Sequence, residues 1–251
     1  SVRSRAMNNG QNICVVMLAY NAAKTLEKTY RELPFYIVDT VILVDDASAD
    51  NTSAMAKMLG IDHVIAHDKN LGHGGNQKTF YQVALSVGAD VVIMIHPDYQ
   101  YTPKLVRAMA TLITDKVFDC VLGSRILGVG AIKGGMPRHK YYANRFLSFF
   151  QNVLTGHKLS EYHTGYRAFS SEILKNLILS ENSNDFIFDN QMLLQIIANN
   201  YSIGEITCPT RYAADASSIG GLAAIRYGCG VIQQSLIYRL SKMGVMKSIY
   251  S

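Results

Sequence analysis

The sequence predicts an α/β fold in which a mixed, mostly parallel sheet is flanked by helices. Short runs of Val, Ile, Leu and Met alternate along the first half with segments of helical periodicity. Such unbroken apolar runs are typical of strands that are buried on both faces of a parallel sheet. The chain has 251 residues, of which 49% are apolar, so it is long enough to bury one sizeable core. We therefore expect a single domain over residues 1–251.

The first half alternates strands with helices. Strands are predicted at residues 13–19, 41–44, 64–66 and 91–95. Helices are predicted between them at residues 22–33, 52–59 and 76–87, and a further helix begins at residues 102–103. Asn21 is expected to cap the first of these helices, Pro34 follows its end, and Gly60 ends the second.

The regular alternation of strands and helices stops after a fifth predicted strand at residues 120–122. A glycine-rich loop at 128–135 and a long aromatic helix at 141–154 come next. The remaining elements are predicted as strands at 166–169 and 203–208 and as helices at 171–179, 190–198 and 219–246. The second half is therefore not expected to be doubly wound.

Acidic residues follow two of the predicted strands at the point where each strand ends. Asp45, Asp46 and Asp50 come after the second strand, and the segment HPDYQ at residues 96–100 follows the fourth. Ligands bind beyond the carboxyl ends of parallel strands, so both clusters are expected to face one crevice. Carboxylates at that place suit a metal ion and a nucleotide diphosphate.

Composition argues against several classes of protein. The 24 Lys and Arg residues against 19 Asp and Glu give a formal charge of +5, and these charges are spread along the chain, so nucleic acid binding is not expected. Four widely separated cysteines predict reduced thiols without disulfides or a zinc site. No apolar run reaches the roughly 18 residues of a membrane span, and no signal core is present. We expect a cytoplasmic chain, with residues 1–6 as a cloning remnant before a natural start at Met7.

The segment GHGGNQKT at residues 72–79 is close to a phosphate-binding P-loop but lacks a required glycine. Gln77 stands where that glycine would precede the lysine, and the same residue breaks the dinucleotide-binding GxGxxG spacing. A nucleoside triphosphatase or dehydrogenase is therefore not favoured. A glycine-rich turn before a helix remains, where a ligand or loop can approach the backbone closely.

Five motifs in order resemble those of one enzyme family. They are AYN at 19–21, resembling PxYN; DDASAD at 45–50 with Thr52, resembling DDGSxDxT; NLGHGG at 70–75, resembling NxGxGxA; GSR at 123–125; and EYHTGYRAF at 161–169, resembling DxxSGFRxF. Together they make the chain resemble the family 2 glycosyltransferases of the GT-A fold, a Rossmann-like fold that binds nucleotide-diphospho-sugars. The nearest branch is that of the dolichyl- or polyprenyl-phosphate sugar synthases, and the resemblance covers residues 13–230.

The resemblance implies inverting transfer of a sugar from a UDP- or GDP-sugar to polyprenyl phosphate, with a divalent cation, Mg²⁺ or Mn²⁺. Residues 7–123 would form the nucleotide-binding half, residues 124–218 the acceptor half, and residues 219–251 a C-terminal helical segment. The expected nucleotide-sugar contacts are Ala19, Tyr20, Asn21, Asp45, Asp46, Gly72, Gly75, Lys78, His96, Pro97 and Asp98.

Asp98 is the expected metal ligand. The family carries a DxD motif here, whereas this chain has His96 in place of the first acid. Gln100 offers an oxygen ligand beside Asp98. His96 would either ligate a softer ion such as Mn²⁺ or contact only the nucleotide, and both alternatives stay open.

The acceptor half contains candidate bases and cations. A hydroxyl acceptor needs a general base, for which Asp189 and Glu161 are candidates, whereas a phosphate acceptor is already an anion and needs positive guides. Asp189 could instead cap the following helix, and Glu161 could pair with Arg167. The expected catalytic residues are Asp189, Glu161 and Arg125, and the expected acceptor-binding residues are Arg125, Arg138, His163, Thr164 and Arg211.

The sequence leaves alternatives for the apolar residues of two helical segments. The aromatic side chains of residues 141–150 are expected to be mostly core, or to form a platform for a lipid chain. Residues 225–250 form a basic amphipathic segment that would lie on an anionic membrane, pack on the sheet, or join a second subunit in a homo-oligomer. Two other functions stay open: transfer to a hydroxyl of a glycan or small metabolite, and a catalytically silent nucleotide-sugar-binding protein.

Overall fold

The computed structural model describes residues 10–209, 211–212 and 220–251. Its strands are β1 Ile13–Ala19, β2 Thr40–Asp45, β3 His63–Ala66, β4 Val91–Ile95, β5 Cys120–Ser124, β6 Arg167–Ser170 and β7 Ile203–Thr207. Its α-helices are α1 Ala23–Arg31, α2 Thr52–Met58, α3 His73–Ser86, α4 Val106–Thr114, α5 Gly130–Lys133, α6 Arg138–Thr155, α7 Ser171–Asn176, α8 Phe188–Ala198 and α9 Gly221–Lys242. The α/β class predicted from the sequence is confirmed.

The seven strands form one mixed sheet in the order β3-β2-β1-β4-β6-β5-β7. Strands β3, β2, β1 and β4 are mutually parallel, and β6 runs antiparallel between β4 and β5. The strands of the second half therefore extend the sheet that the first half begins. Because β6 is antiparallel, it starts at the edge where β4 and β5 end.

A hydrophobic layer covers each face of this sheet. In β1 the side chains of Cys14 and Val16 belong to one layer and those of Val15 and Met17 to the other. This alternation along a strand buried on both sides explains why β1 is apolar at every position. The carboxyl ends of the strands, where the apolar runs stop, are left for polar residues.

Local differences from the sequence predictions have simple causes. Helix α3 begins at His73, three residues before its predicted start, so the glycine-rich turn forms its first turn. The predicted cap at Asn21 is wrong: this residue has a φ of 51°, and its side chain accepts a hydrogen bond from the Ala49 N–H. Part of the predicted glycine-rich loop folds as α5. The predicted helix start at residue 219 and residues 1–6 lie outside the described residues.

Helix α6 buries its polar face and exposes its apolar face, which is the opposite of what the sequence predicts. Its buried side chains are Asn144, Ser148 and Gln151, while Phe146 and Phe149 are exposed. The expectation that its aromatic residues are mostly core is therefore wrong. This buried polar face meets other polar groups: Asn144 donates to Glu161, and Gln151 accepts from Asn190.

Candidate active site

A cavity of about 360 Å³ lies beyond the ends of β4 and β5. Its polar floor comes from residues after these strands and before β6, and helices α3, α6, α8 and α9 contribute the walls. The apolar part of the wall contains Met136, Ala143, Leu147, Phe186 and Ala224. One end of the cavity is therefore charged and polar, and another part is apolar.

The turn after β4 brings three predicted metal or nucleotide ligands to the cavity. His96, Asp98 and Gln100 all line it, and Asp98 accepts a hydrogen bond from the Gln100 backbone N–H. Pro97 is buried instead, and its carbonyl accepts a hydrogen bond from Thr29. Within residues 10–209, 211–212 and 220–251, no group of three or more His, Cys, Asp and Glu side chains is arranged to hold a metal ion. His96 and Asp98 would therefore need further ligands to hold a cation there.

The ring of His96 lies near two other rings and against Gly165. It lies 5.7 Å from the His73 ring and 6.2 Å from the Tyr101 ring, measured between centroids. A Cβ atom on Gly165 would lie 2.5 Å from His96 Nε2. Burial lowers the pKa of His96, so its imidazole is neutral at pH 7.

Asp189 pairs with two residues of α3. Its carboxylate oxygens lie 2.7 Å from His73 Nε2 and 2.8 Å from Gln77 Nε2. Burial alone would raise the pKa of Asp189, but Arg167 and His73 outweigh burial and hold that pKa well below its usual range. Asp189 lies inside α8, where Ile187 takes the N-cap position. The alternative role of Asp189 as a helix cap is therefore wrong.

Glu161 and Arg125 form a buried ion pair at the cavity. Glu161 accepts hydrogen bonds from the Arg125 guanidinium and backbone N–H and from Asn144 Nδ2. Burial would raise the pKa of Glu161, but the Arg125 charge outweighs it and lowers that pKa. Arg167 donates instead to the carbonyls of Tyr162, Thr164 and Asp189. The alternative pairing of Glu161 with Arg167 is therefore wrong.

His163 lines the cavity with one nitrogen unused. Its Nδ1 lies 2.8 Å from the Tyr227 hydroxyl, while its Nε2 is buried and has no hydrogen-bond partner among the described residues. Burial lowers the pKa of His163 to about 4, so the ring is neutral at pH 7. The neighbouring Thr164 is fully buried, and its hydroxyl donates to the Gly123 carbonyl instead of facing the cavity.

The first acidic cluster lies at the same edge of the sheet but does not line the cavity. Asp45 pairs in register with Ala19 at the end of β1, and its carboxylate accepts hydrogen bonds from Ser48 and Ser53. Asp46 binds His67 and the N–H groups of Leu71 and Gly72. Both clusters thus lie at one edge of the sheet, but Asp45 and Asp46 are not among the residues that line the cavity described above, and their carboxylates accept hydrogen bonds from nearby loops. Tyr20 and Asn21 are exposed at this edge.

The glycine-rich turn and Lys78 contact a loop at residues 182–184. A Cβ atom on Gly72 would lie 2.5 Å from the Asn184 carbonyl oxygen, and one on Gly75 would lie 2.8 Å from Leu71 Cβ. The Lys78 ammonium donates to Asn184 Oδ1 and to the carbonyls of Ser180 and Asn182. These three bonds use all its donors. The expectation that Lys78 contacts the nucleotide sugar is therefore wrong.

Two predicted acceptor-binding arginines lie outside the cavity. Arg138 is the exposed first residue of α6. The Arg211 N–H donates to the Gln100 carbonyl, and its guanidinium lies 6.0 Å from the Tyr99 ring centroid, beside a smaller recess. Lys140, which the sequence analysis missed, lines the cavity in their place. Its position two residues after Arg138 turns it toward a different side of the helix.

The chain matches the sequence model of one protein family. The glycosyl transferase family 2 model matches residues 14–178, and the chain belongs to this family. The predicted GT-A fold is confirmed by solved structures of glucosyl-3-phosphoglycerate synthase from Mycobacterium tuberculosis. The one in complex with UDP has a TM-score of 0.71 at 19% identity, over 98% of this chain and 84% of that chain. The one with Mn²⁺, UDP and glucosyl-3-phosphoglycerate has a TM-score of 0.66.

Sequence relatives point to one branch of the family. The chain is 28% identical over 249 residues to the UDP-N-acetylglucosamine–dolichyl-phosphate N-acetylglucosaminyltransferase of Methanococcus voltae, covering 92% of this chain and 97% of the relative. It is 24% identical over 172 residues to the polyprenol monophosphomannose synthase of Mycolicibacterium smegmatis, covering 66% and 64%. These relatives support the polyprenyl-phosphate sugar transferase branch. None of the helices in the described ranges is long and apolar enough to cross a membrane.

Proposed function

We propose that the protein transfers a sugar from a nucleotide-diphospho-sugar to a polyprenyl phosphate. The observation that carries this proposal is the two-sided cavity at the strand edge. Arg125 and Lys140 supply positive charge to it, and the apolar residues of α6 and α9 supply a wall for a hydrocarbon chain. An amphiphilic acceptor with a phosphate head matches both parts. The names of the two sequence relatives support the same acceptor class.

The state of the two candidate bases favours a phosphate acceptor over a hydroxyl acceptor. Both oxygens of Asp189 and both oxygens of Glu161 already accept hydrogen bonds. Neighbouring cations also lower the pKa of each carboxylate, which makes it a weak base at neutral pH. A phosphate oxygen attacks as an anion and needs no base. In this account Glu161 positions Arg125, and Asp189 holds His73 and Gln77.

His163 and Arg125 are the proposed phosphate contacts. Arg125 donates to Glu161, Tyr212 and the His163 carbonyl, which fixes its guanidinium at the cavity wall. The Nε2 of His163 is a buried polar atom without a partner in the part of the chain that the structure describes, and a ligand would supply that partner. We assign Thr164 a supporting role beneath this site.

The residues after β4 fit a divalent cation bound together with the donor. Carboxylate and amide oxygens from Asp98 and Gln100 suit Mg²⁺ or Mn²⁺, and the neutral imidazole of His96 suits Mn²⁺. With too few protein ligands for a closed site, the donor diphosphate would complete the coordination. The cation would stabilise the charge that develops on the leaving diphosphate. Tyr20 and Asn21, which are exposed at the same edge, are proposed to contact the uridine or guanosine of the donor, and Asp45 and Asp46 are proposed to hold the loops around it.

A transfer assay tests this function. The purified chain is incubated with labelled UDP- or GDP-sugars and a polyprenyl phosphate in detergent, and label that enters the lipid phase is counted. We expect transfer from one donor, loss of transfer with EDTA, and recovery with Mn²⁺ or Mg²⁺. Asp98→Asn is expected to lower turnover by about 10²-fold, whereas Asp68→Asn, away from the cavity, serves as the matched control. Absence of lipid-linked label with every donor and either cation contradicts the proposal.

A further inference from the structure

The outer face of α6 carries an apolar stripe that is exposed in the described part of the chain. Tyr142, Phe146, Phe149 and Val153 are spaced at i, i+4, i+7 and i+11, so they lie along one side of the helix. Their exposed fractions are 64%, 61%, 67% and 62%. We call these four residues the aromatic stripe. Exposed apolar surface in a continuous patch marks a site of interaction.

Helix α9 packs beside α6 and adds to the same kind of surface. Leu147 of α6 approaches Gly228 of α9, where a Cβ atom would lie 3.9 Å from Leu147 Cδ1. In the first turns of α9, Leu222 is 86% exposed and Ile225 is 65% exposed. Further along α9, Val231, Ser235 and Tyr238 are buried. The apolar exposure of α9 is therefore greatest near its start.

The two segments of the chain that contain α6 and α9 carry positive charges and no acidic residues. Residues 126–160 and 220–251 contain no Asp or Glu. Their basic residues are Lys133, Arg138, Lys140, Arg145, Lys158, Arg226, Arg239, Lys242 and Lys247. An anionic surface is complementary to this charge, whereas a second copy of the chain would bring the same positive charge against it.

The stripe belongs to the helices that build the apolar wall of the cavity. Ala143 and Leu147 of α6 and Ala224 of α9 line the cavity, and exposed apolar residues lie beside them on the same helices. A lipid chain held against these walls would thus lie next to a surface that suits the bilayer interior.

We propose that the aromatic stripe and the start of α9 dock on an anionic lipid bilayer, with the apolar side chains at the level of the headgroups and acyl chains. This inference deepens the proposed function and rests on it, since docking would present the cavity to an acceptor that stays in the membrane. The sequence suggests residues 225–250 as a membrane contact, whereas this proposal places the main contact on α6 and on the start of α9. Aromatic and aliphatic residues flanked by Lys and Arg are the composition of helices that lie in the membrane interface.

Vesicle co-sedimentation tests the docking surface. The probes are phosphatidylcholine vesicles with and without phosphatidylglycerol, and the main variant is the double substitution Phe146→Ser and Phe149→Ser. We expect the wild-type chain to bind the anionic vesicles and the variant to partition at least about tenfold more weakly. Arg145→Gln is expected to weaken binding about fivefold and to reduce its salt dependence. Met58→Ser removes an 87%-exposed apolar side chain from α2 and is the matched control, expected to bind as the wild type does.

Three results would overturn the inference: no binding of the wild-type chain, equal binding of the double variant, or a wild-type dimer in lipid-free solution that the double variant abolishes. Such a dimer would mean that the aromatic stripe contacts a second copy of the chain and not a bilayer. Transfer to a short, detergent-soluble polyprenyl phosphate is measured in the same samples, and the double variant is expected to keep wild-type turnover there. If lipid-phosphate transfer is absent in all samples while vesicle binding still depends on the stripe, the proposed function fails and the docking surface stands.

Discussion

Single side chains hold the cavity floor in place through close contacts and buried charge. His96 is confined between the rings of His73 and Tyr101 and against the backbone of Gly165. The Arg125 guanidinium donates a hydrogen bond to the buried Glu161 carboxylate, which holds it in place. Cavity-lining groups that are held in this way keep their geometry when a ligand binds.

Gly165→Ala tests the packing of His96. The new Cβ would lie 2.5 Å from His96 Nε2, which is closer than van der Waals contact allows, so the imidazole must shift within the cavity that it lines. We expect turnover to fall by about 10²-fold because a misplacement of about 1 Å has this effect. Gly130→Ala meets no atom within 4 Å and is the control. Wild-type turnover in the Gly165→Ala enzyme would show that the position of His96 is unimportant.

Glu161→Gln tests the buried ion pair. Removing one charge of such a pair leaves Arg125 uncompensated, which is expected to lower the free energy of unfolding by about 3–5 kcal/mol at pH 7. The folded pKa of Glu161 is lowered, so its contribution to stability is present above its ordinary pKa of about 4.3. That contribution is lost as the pH falls below this value toward the folded pKa.

The measurement is urea unfolding at a series of pH values from neutral to acid. The wild type should lose stability in the acid range, and Glu161→Gln should lose less of it there because its side chain does not titrate. Glu27→Gln breaks an exposed pair with Arg31 and should change stability little at any pH. Equal unfolding free energies for the wild type and Glu161→Gln at pH 7 would contradict the structural role assigned to the pair.

At the scale of elements, the start of α3 is joined to the loop before α8. Lys78 donates to three oxygens of residues 180–184, and the Gly74 N–H donates to the Asn184 carbonyl at 2.8 Å. This loop leads into Phe186 and Asp189, both of which line the cavity. The glycines that resemble a phosphate-binding motif thus allow a loop, rather than a ligand, to approach the helix.

Lys78→Met tests this junction. Losing one partly buried hydrogen bond to the Asn182 carbonyl and two exposed ones should cost about 1 kcal/mol of stability. Amide hydrogen exchange is expected to speed up at residues 180–186 and to stay unchanged in β1 and β4. Lys57→Met, on the exposed side of α2, provides the comparison. Unchanged exchange in that loop would mean that Lys78 does not anchor it.

Helix α6 shows which element properties the sequence could and could not reveal. Its existence and length were close to the prediction, but its orientation was wrong because aromatic residues were assumed to face inward. A stripe of uncharged polar residues at Asn144, Ser148 and Gln151 carried the opposite signal. Which stripe faces the core was decided by Glu161 and Asn190, which need polar partners from this helix.

At the scale of the whole molecule, the sheet was predictable and the internal contacts of the site were not. Unbroken apolar runs such as Val91–Ile95 identified the buried strands, and the acids after them identified the functional edge. The pairing of His73 with Asp189 joins residues 116 positions apart. The sequence has no local pattern for such a contact, because it arises only when α3 and α8 pack together.

Acidic residues and basic or apolar surface lie in different parts of the molecule. The first half carries the acidic strand ends, while α6 and α9 carry basic and apolar residues without acids. This division matches a donor that binds with a cation at one side of the edge and a lipid anion that arrives from the other. In the proposed function both substrates would bind at one edge, which is consistent with direct transfer between them.

The most direct test compares initial rates of sugar transfer to a polyprenyl phosphate and to the free polyprenol of the same chain length, in the same detergent and with the same donor. Transfer to the phosphate alone, with much of the rate retained by Asp189→Asn, is the predicted result because an anionic acceptor needs no base. Equal or faster transfer to the free alcohol, together with complete loss of turnover in Asp189→Asn, would contradict the assignment of the cavity to a lipid phosphate.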